Sequence, residues 1–237
     1  MPVTRSESGV NLSTWEVVVG DGLYHASGEA PVNDGDIKTV HRTRKSVLKA
    51  NILNRRIMAH NITFRRIFDA VAMTDRHVAK YRFKIPYIIS TANIDRNGQT
   101  VEGGLFVWDG PATRLDYGLA FQWVTNPWDP AYKQLSYWDG NGWSDLGVSL
   151  EPDTRYHDVT YELDIPNAEA FLTIDGIRFN QNIFSQTPKA PDWGTDVEAR
   201  FQAETISLFP AETGPVPLQR INFKNWSWEW SNDTPAV

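Results

Sequence analysis

The stretch 158–179 constrains the fold more strongly than any other part of the chain. Its apolar residues Val159, Tyr161 and Leu163 alternate with polar residues, which is the period of a strand with one buried face. A second β-rich run follows, and Asp175-Gly176 then supplies the two positive-φ positions that a tight hairpin turn requires. The stretch therefore predicts antiparallel strands connected by a short turn.

Similar alternation recurs along much of the 237-residue chain. Further strands are predicted at 15–19, 39–50, 57–68, 77–89, 103–109, 115–124, 134–138, 197–208 and 218–230. Residues 57–73 also fit an amphipathic helix, but their β-branched and aromatic residues favour a strand. The number and spacing of strands predict an all-β jelly-roll sandwich of two antiparallel sheets over residues 15–237, preceded by a loose polar arm over 1–14. An Asn-Gly turn is expected at Asn141-Gly142.

Composition narrows the chemistry that the chain can perform. The chain has no cysteine, which excludes disulfides, thiolate zinc sites and cysteine nucleophiles. Its five histidines never fall at paired ligand spacing, which argues against zinc. Two acidic residues near predicted strand ends, Asp109 and Asp139, are weak candidates for calcium, and ordinary turn chemistry is the favoured explanation of both. No cofactor is expected apart from that calcium alternative.

The net charge of −6 conceals a strong asymmetry along the chain. Residues 38–84 contain thirteen Lys and Arg but only two acidic residues, so the remainder of the chain is strongly acidic. Two interpretations stay open: a binding surface for an anionic partner, or strand faces that pair with acidic strands beside them.

The sequence contains no apolar region typical of a signal peptide and no run long enough to span a membrane. We therefore expect either a cytoplasmic protein or a trimmed secreted one, and no membrane span.

Four sequence features carry a family resemblance. They are the run from Gly103 to Trp108, His157 before the paired strands, the Ile174-Asp175-Gly176 turn, and a closing strand with Asn225-Trp226-Ser227-Trp228. In these features the chain resembles the concanavalin A-like lectin/glucanase superfamily, which includes laminin-G-like domains. The resemblance implies a jelly roll and, as the leading function, a carbohydrate-binding domain.

We expect such a domain to combine cationic groups, a sheet-borne amide and tryptophans near turns, because indole rings stack on sugar C–H faces. An acidic polysaccharide is the ligand that the cationic groups would suit. Nucleic acid is disfavoured because no reading motif occurs. The predicted ligand-binding residues are Lys80, Arg82, Lys84, Trp108, Gln122, Trp128, Trp138 and Trp143.

Two other functions remain open. Glycoside hydrolysis is disfavoured because no strand carries the paired carboxylates that this fold family uses, Glu-x-Asp-x-Glu or its longer form. An enzyme would instead resemble a polysaccharide lyase cleaving a uronate polymer by β-elimination, with His41, Arg42, Arg44 and Gln122 as candidate catalytic residues. The Arg42-Thr43-Arg44 run departs from the Arg-x-Glu-x-Arg pattern of alginate-lyase families. The second alternative is a structural or assembly domain without a glycan ligand.

Overall fold

The computed structural model describes residues 3–18, 37–50, 59–68, 76–88, 100–108, 117–127, 129–186, 198–207 and 219–232. In these ranges the chain forms sixteen β-strands, and no helix there is long and apolar enough to cross a membrane. The strands are β1 (Val3–Gly9), β2 (Glu16–Val18), β3 (Ile37–Arg42), β4 (Lys45–Ala50), β5 (Ala59–Phe68), β6 (Arg76–Lys84), β7 (Thr100–Trp108), β8 (Tyr117–Val124), β9 (Gln134–Trp138), β10 (Trp143–Ser149), β11 (His157–Asp164), β12 (Glu169–Ile174), β13 (Ile177–Arg178), β14 (Ser185–Gln186), β15 (Glu198–Ser207) and β16 (Gln219–Asn232).

The strands form two antiparallel sheets of eight. Sheet A has the order β13-β12-β11-β6-β16-β4-β3, and β1 also pairs with β16. Sheet B has the order β10-β9-β8-β7-β15-β5-β2, and β14 also pairs with β8. Neighbouring strands are mostly distant in sequence, which is the pattern of a jelly-roll sandwich. The predicted all-β sandwich is confirmed, and residues 59–68 form a strand rather than a helix.

Aromatic side chains from the inner faces of both sheets form the core. Tyr81 of β6 stacks on Phe201 of β15 with ring centroids 5.5 Å apart, and Phe83 stacks on Phe121 of β8 at 6.1 Å. Trp123, like these four residues, is almost completely buried. Each buried ring contributes about 1.5–3 kcal/mol to stability. These aromatic side chains therefore hold the two sheets face to face.

The predicted turn at Asp175-Gly176 is confirmed. Asp175 has φ of 51° and Gly176 has φ of 81°, and the flanking residues Ile174 and Ile177 pair directly. The turn at Asn141-Gly142 is centred one residue earlier than predicted, because Gly140 carries the positive φ, 98°, between β9 and β10.

The prediction of one strand over residues 39–50 is wrong. This part of the chain is a hairpin in which β3 pairs with β4, from Ile37 opposite Ala50 to Arg42 opposite Lys45. The chain reverses at Thr43-Arg44, which contains none of the Gly, Pro, Asn or Asp residues that mark most turns. The sequence therefore lacked a visible break.

Residues 3–9 of the expected loose arm form β1, which is aligned with the last seven residues of β16. Beyond it, the Leu12 side chain is fully buried, and Trp226 Nε1–H donates a hydrogen bond to the Asn11 carbonyl oxygen at 2.8 Å. Most side chains of β1 are exposed, so its pairing rests on backbone hydrogen bonds that a hydrophobicity pattern does not reveal.

Candidate functional site

The predicted binding residues lie on two different faces of the molecule. Lys80, Arg82 and Lys84 alternate with buried residues along β6, so they project from the outer face of sheet A. Gln122 alternates with buried Phe121 and Trp123 of β8, so it projects from the outer face of sheet B. Because the outer faces of a sandwich point in opposite directions, the cationic row and Gln122 do not share one site.

Three of the predicted residues cannot be placed by their side chains. Trp108 is the last residue of β7, but its side chain lies outside the described part of the structure. Trp128 and the calcium candidate Asp109 lie outside the described residues altogether.

A polar line crosses the outer face of sheet B. Its members are cross-strand neighbours: Glu204 of β15 lies opposite Glu102 of β7, Glu102 opposite Gln122 of β8, and Gln122 opposite Ser136 of β9. The Gln122 side-chain amide donates a hydrogen bond to Glu102 Oε1 at 2.6 Å. The register of four strands therefore places two carboxyl groups, an amide and a hydroxyl in one row.

The two carboxyl groups of this line are hydrogen-bonded to each other, which requires one of them to carry a proton. Burial raises the pKa of Glu102 well above its usual range, and the nearby charge of Glu204 raises it further, against the opposing hydrogen bond from Gln122. Glu102 is only 7% exposed, whereas Gln122 and Glu204 are half-buried. The neutral form of Glu102 is therefore favoured, and Glu204 and Gln122 are the more accessible polar groups of the line.

Small residues flank the polar line, and their role is close packing. The Phe106 ring lies over Gly104, so that a Cβ at Gly104 would overlap the ring. Phe106 and Ala120 are buried together with Trp138 packed against them. The outer face of sheet B thus carries an apolar patch beside its polar line.

Trp138 and Trp143 form an aromatic pair at the edge of this same face. They are directly opposed residues of the β9–β10 hairpin, and their rings are 5.6 Å apart at 72°. Trp143 is 37% exposed, and Trp138 is half-buried against the apolar patch. Of the predicted ligand-binding set, the structure therefore brings together Gln122, Trp138 and Trp143.

Asp139 is occupied by its own hairpin. Its Oδ1 accepts hydrogen bonds from the amides of Asn141 and Gly142, at 2.8 and 2.9 Å, and its Oδ2 accepts one from the Ser144 hydroxyl at 2.7 Å. The Ser144 hydrogen bond is the main cause of the lowered pKa of Asp139, and the two amide bonds add to it. These contacts are turn chemistry, and the described residues contain no group of three or more His, Asp or Glu that could hold a metal ion.

The candidate lyase residues are not assembled around Gln122. His41 and Arg42 end β3 at the edge of sheet A, and Arg44 lies in the turn that follows. The His41 ring is hydrogen-bonded through Nδ1 to the Ser46 hydroxyl of the same hairpin at 2.8 Å. Gln122 projects from the other sheet, so these groups do not surround one substrate carboxylate.

Two features of the family resemblance, His157 and the turn at Asp175, form one structural unit. The buried ring of His157 is hydrogen-bonded through Nδ1 to Asp175 Oδ2 at 2.8 Å, and the amide of Asp158 donates to Asp175 Oδ1 at 3.0 Å. Asp175 therefore ties its own turn to the start of β11. His157 and Asp175 serve the fold, and the structure gives them no part in the candidate site.

The cationic side chains of β6 differ in their partners. Arg76 and Arg82 form ion pairs with Asp164 and Asp158 of the neighbouring β11, at 2.8 and 2.7 Å. These are the acidic partners on an adjacent strand that one interpretation of the charge asymmetry expected. Lys84 has no such carboxylate among the described residues and lies instead over the ring of Tyr156, with Nζ 5.1 Å from the centroid.

Sequence reasoning missed Glu102 and Glu204 as a pair. They are separated by about one hundred residues, and only the pairing of β7 with β15 brings them side by side. A search for paired carboxylates on one strand could not find them. The available signal was weak: Glu102 is the one charged residue of β7, but Glu204 lies in a strand that also contains Glu198 and Arg200.

No protein-family model and no curated protein sequence matches this chain. Among solved structures, the winged bean acidic lectin in complex with methyl-α-D-galactose is 14% identical, with a TM-score of 0.53 and coverage of 97% of this chain and 99% of that chain. The CBM2 module of the evolved Dit protein of Lactobacillus casei BL23 phage J-1 is 12% identical, with a TM-score of 0.53 and 97% coverage of both chains. At these identities the likeness shows a common fold.

Proposed function

We propose that this chain is a carbohydrate-binding domain that holds a saccharide against the outer face of sheet B. One observation carries the proposal: a tryptophan pair, the half-buried Trp138 and the exposed Trp143, lies on the same sheet face as the polar line that contains Gln122. Sugars present apolar C–H faces beside hydroxyl groups, so a site for them combines an aromatic surface with hydrogen-bonding side chains. The likeness in fold to a galactoside-bound lectin supports the same class of ligand.

Each group has a definite role in this proposal. The exposed Trp143 ring stacks on the sugar, and Trp138 fixes its orientation by edge contact. The Gln122 amide and the Glu204 carboxylate bind hydroxyl groups, because an amide both donates and accepts and a carboxylate accepts strongly. Glu102 holds both of these side chains in place by hydrogen bonds. Membership of the concanavalin A-like superfamily belongs to the same proposal.

A glycan array followed by calorimetric titration of the best saccharide tests this function. We expect Trp143→Ala to weaken binding about tenfold, equivalent to about 1.4 kcal/mol, and Trp143→Phe to retain part of the affinity. Gln122→Ala should weaken binding similarly, because its hydroxyl contacts are lost. Ile177→Ala is the matched control, since Ile177 is an exposed apolar residue on the edge of sheet A.

An absorbance assay and the glycan array separate the alternative functions. A β-eliminating lyase predicts a rise in ultraviolet absorbance when the chain is incubated with uronate polymers, and Arg42→Ala or Gln122→Ala would abolish it. An assembly domain without a glycan ligand predicts no signal on the array. Equal affinity of the wild-type chain and Trp143→Ala for a bound saccharide would contradict the proposed face.

A further inference from the structure

Several cationic side chains converge on one tyrosine ring at the outer face of sheet A. Lys224 Nζ lies 4.0 Å from the centroid of the Tyr156 ring, Lys84 Nζ lies 5.1 Å from it and Arg82 Cζ 5.7 Å from it. Lys224 of β16 is directly opposite Arg82 of β6 in the sheet. We call Arg82, Lys84, Lys224 and the Tyr156 ring the Tyr156 cluster.

Little negative charge offsets these cations. Asp158, the one carboxylate that contacts the cluster among the described residues, is already paired with Arg82 at 2.7 Å. The Arg82 Nε–H is buried and is not directed at a hydrogen-bond acceptor, so this contact is an ion pair rather than a hydrogen bond. Neither Lys84 nor Lys224 pairs with a carboxylate within the described part of the chain.

The lowered pKa of Lys224 agrees with this shortage of negative charge. Burial lowers the pKa of Lys224, and the cations Arg82, Lys84 and Lys45 lower it further, while Asp158 alone opposes them. Like charges held this close repel one another, and the tyrosine ring offsets only part of that repulsion through cation–π contacts. A bound anion would remove the rest.

We propose that the Tyr156 cluster binds an oxyanion, either a carboxylate, a sulfate or a phosphate group. The arginine presents N–H donors in a planar fork, and the two lysines add donors that rotate freely, which suits a compact anion with several acceptor oxygens. The Tyr156 ring lies against the cations, and its hydroxyl is tied to Asn222. This site lies on the opposite sheet from the saccharide face, so it does not depend on the proposed function.

Only part of the cationic row belongs to this site. Lys80 projects from the same face of β6 and is exposed, but its cross-strand neighbours are Thr160 and Ser227. Lys80 therefore has the same charge as Lys84 and projects from the same face of β6, but it does not contact the Tyr156 ring among the described residues. Lys80→Met is consequently a matched control for Lys84→Met.

An NMR titration of the full chain tests the proposal. The ¹⁵N-labelled protein is titrated at low salt with inorganic sulfate, with inorganic phosphate, with galacturonate monomer and with a galacturonate tetramer. We expect saturable amide shifts around Lys84 and Lys224 for at least one of these probes. Lys84→Met should raise the dissociation constant about fivefold and the double variant Lys84→Met/Lys224→Met at least about tenfold, whereas Lys80→Met should change it less than about twofold.

The outcomes decide both the site and the source of the anion. Tighter binding of the tetramer than of the monomer indicates a polymer-borne carboxylate, and binding of sulfate or phosphate alone indicates a small or esterified anion. Equal weakening by Lys80→Met and by Lys84→Met would mean unspecific charge attraction and would overturn the proposal, as would the absence of any saturable shift. Amide shifts around Lys84 and Lys224 report on this site and shifts around Trp138 and Trp143 report on the saccharide face, so failure of one site is distinguishable from failure of the other.

Discussion

The pKa of Glu102 depends on Glu204, the residue opposite it in the sheet. A carboxyl group in water is ionised at neutral pH, but Glu102 is buried opposite a second carboxyl group. Both factors favour its neutral form, in which it donates a hydrogen bond to Glu204 and accepts one from Gln122. Glu102 therefore links Gln122 and Glu204 across three strands.

Replacing Glu102 by glutamine should stabilise the protein at neutral pH. The pKa of Glu102 is raised on folding, so between its unfolded value, near 4.5, and its folded value only the folded state retains the proton. Stability therefore falls as the pH rises through this window, by about 1.4 kcal/mol for each unit of separation. Glu102→Gln keeps both hydrogen bonds and cannot ionise, so its advantage over the wild type should be absent at pH 4 and grow above pH 5.

Urea unfolding at several pH values measures this difference. Glu102→Ala is the control, because it removes the titratable group together with its hydrogen bonds and should lack the gain in stability of Glu102→Gln. A Glu102→Gln variant that is less stable than the wild type at pH 7 would show that the carboxyl group is ionised there and well solvated or paired.

At the scale of elements, β7 approaches sheet A closely because of one glycine. Gly103 faces inward, where a Cβ would overlap the hydroxyl groups of Tyr81 and Tyr161. These two hydroxyl groups are hydrogen-bonded to each other at 2.7 Å in the core, and burial raises the pKa of both. The two tyrosine hydroxyl groups thus fit between the sheets at Gly103, where β7 has no side chain.

Gly103→Ala should therefore destabilise the fold by about 2–4 kcal/mol, because either the tyrosine hydrogen bond breaks or the sheets move apart. The control is Gly142→Ala at the β9–β10 turn, where an added Cβ meets no atom within 4 Å, and it should change stability by less than about 0.5 kcal/mol. Thermal or urea unfolding of the two variants compares them directly. Equal stability of both variants would show that the core yields at Gly103 without cost.

At the scale of the whole molecule, β1 joins the first residues of the chain to the last strand. It pairs with β16 over seven residues, from Val3 opposite Asn232 to Gly9 opposite Trp226. Without β1, this half of β16 would present unpaired backbone groups at a sheet edge, which favours association between chains.

Deletion of residues 1–9 should lower the free energy of unfolding by roughly 2–4 kcal/mol, since several backbone hydrogen bonds are lost while little apolar surface is exposed. It should also promote concentration-dependent association, measurable by light scattering. The full-length variant Arg5→Ala/Ser6→Ala, which alters only exposed side chains of β1, should behave like the wild type. Unchanged stability of the truncated chain would mean that β1 contributes nothing to the fold.

The features that the sequence by itself determined are local ones. The alternation of Val159, Tyr161 and Leu163 predicted which face of β11 is buried, because side-chain direction in a strand depends only on the parity of the position. The Asp175-Gly176 turn was equally predictable, since positive φ is a property of the two residues themselves. Gln122, Trp138 and Trp143 were each identified as candidates from their immediate neighbours in the sequence.

Only the tertiary structure decided which of these local features meet. Lys84 and Gln122 project from opposite sheets because β6 and β8 pair with different partners, and no periodicity records a partner. Glu102 and Glu204, like Lys84 and Lys224, become neighbours through pairings between strands that lie far apart in the chain. Strand pairing depends on the free energy of packing the whole sandwich, and for that reason the position of each candidate site follows from the assembled sheets rather than from any single stretch of residues.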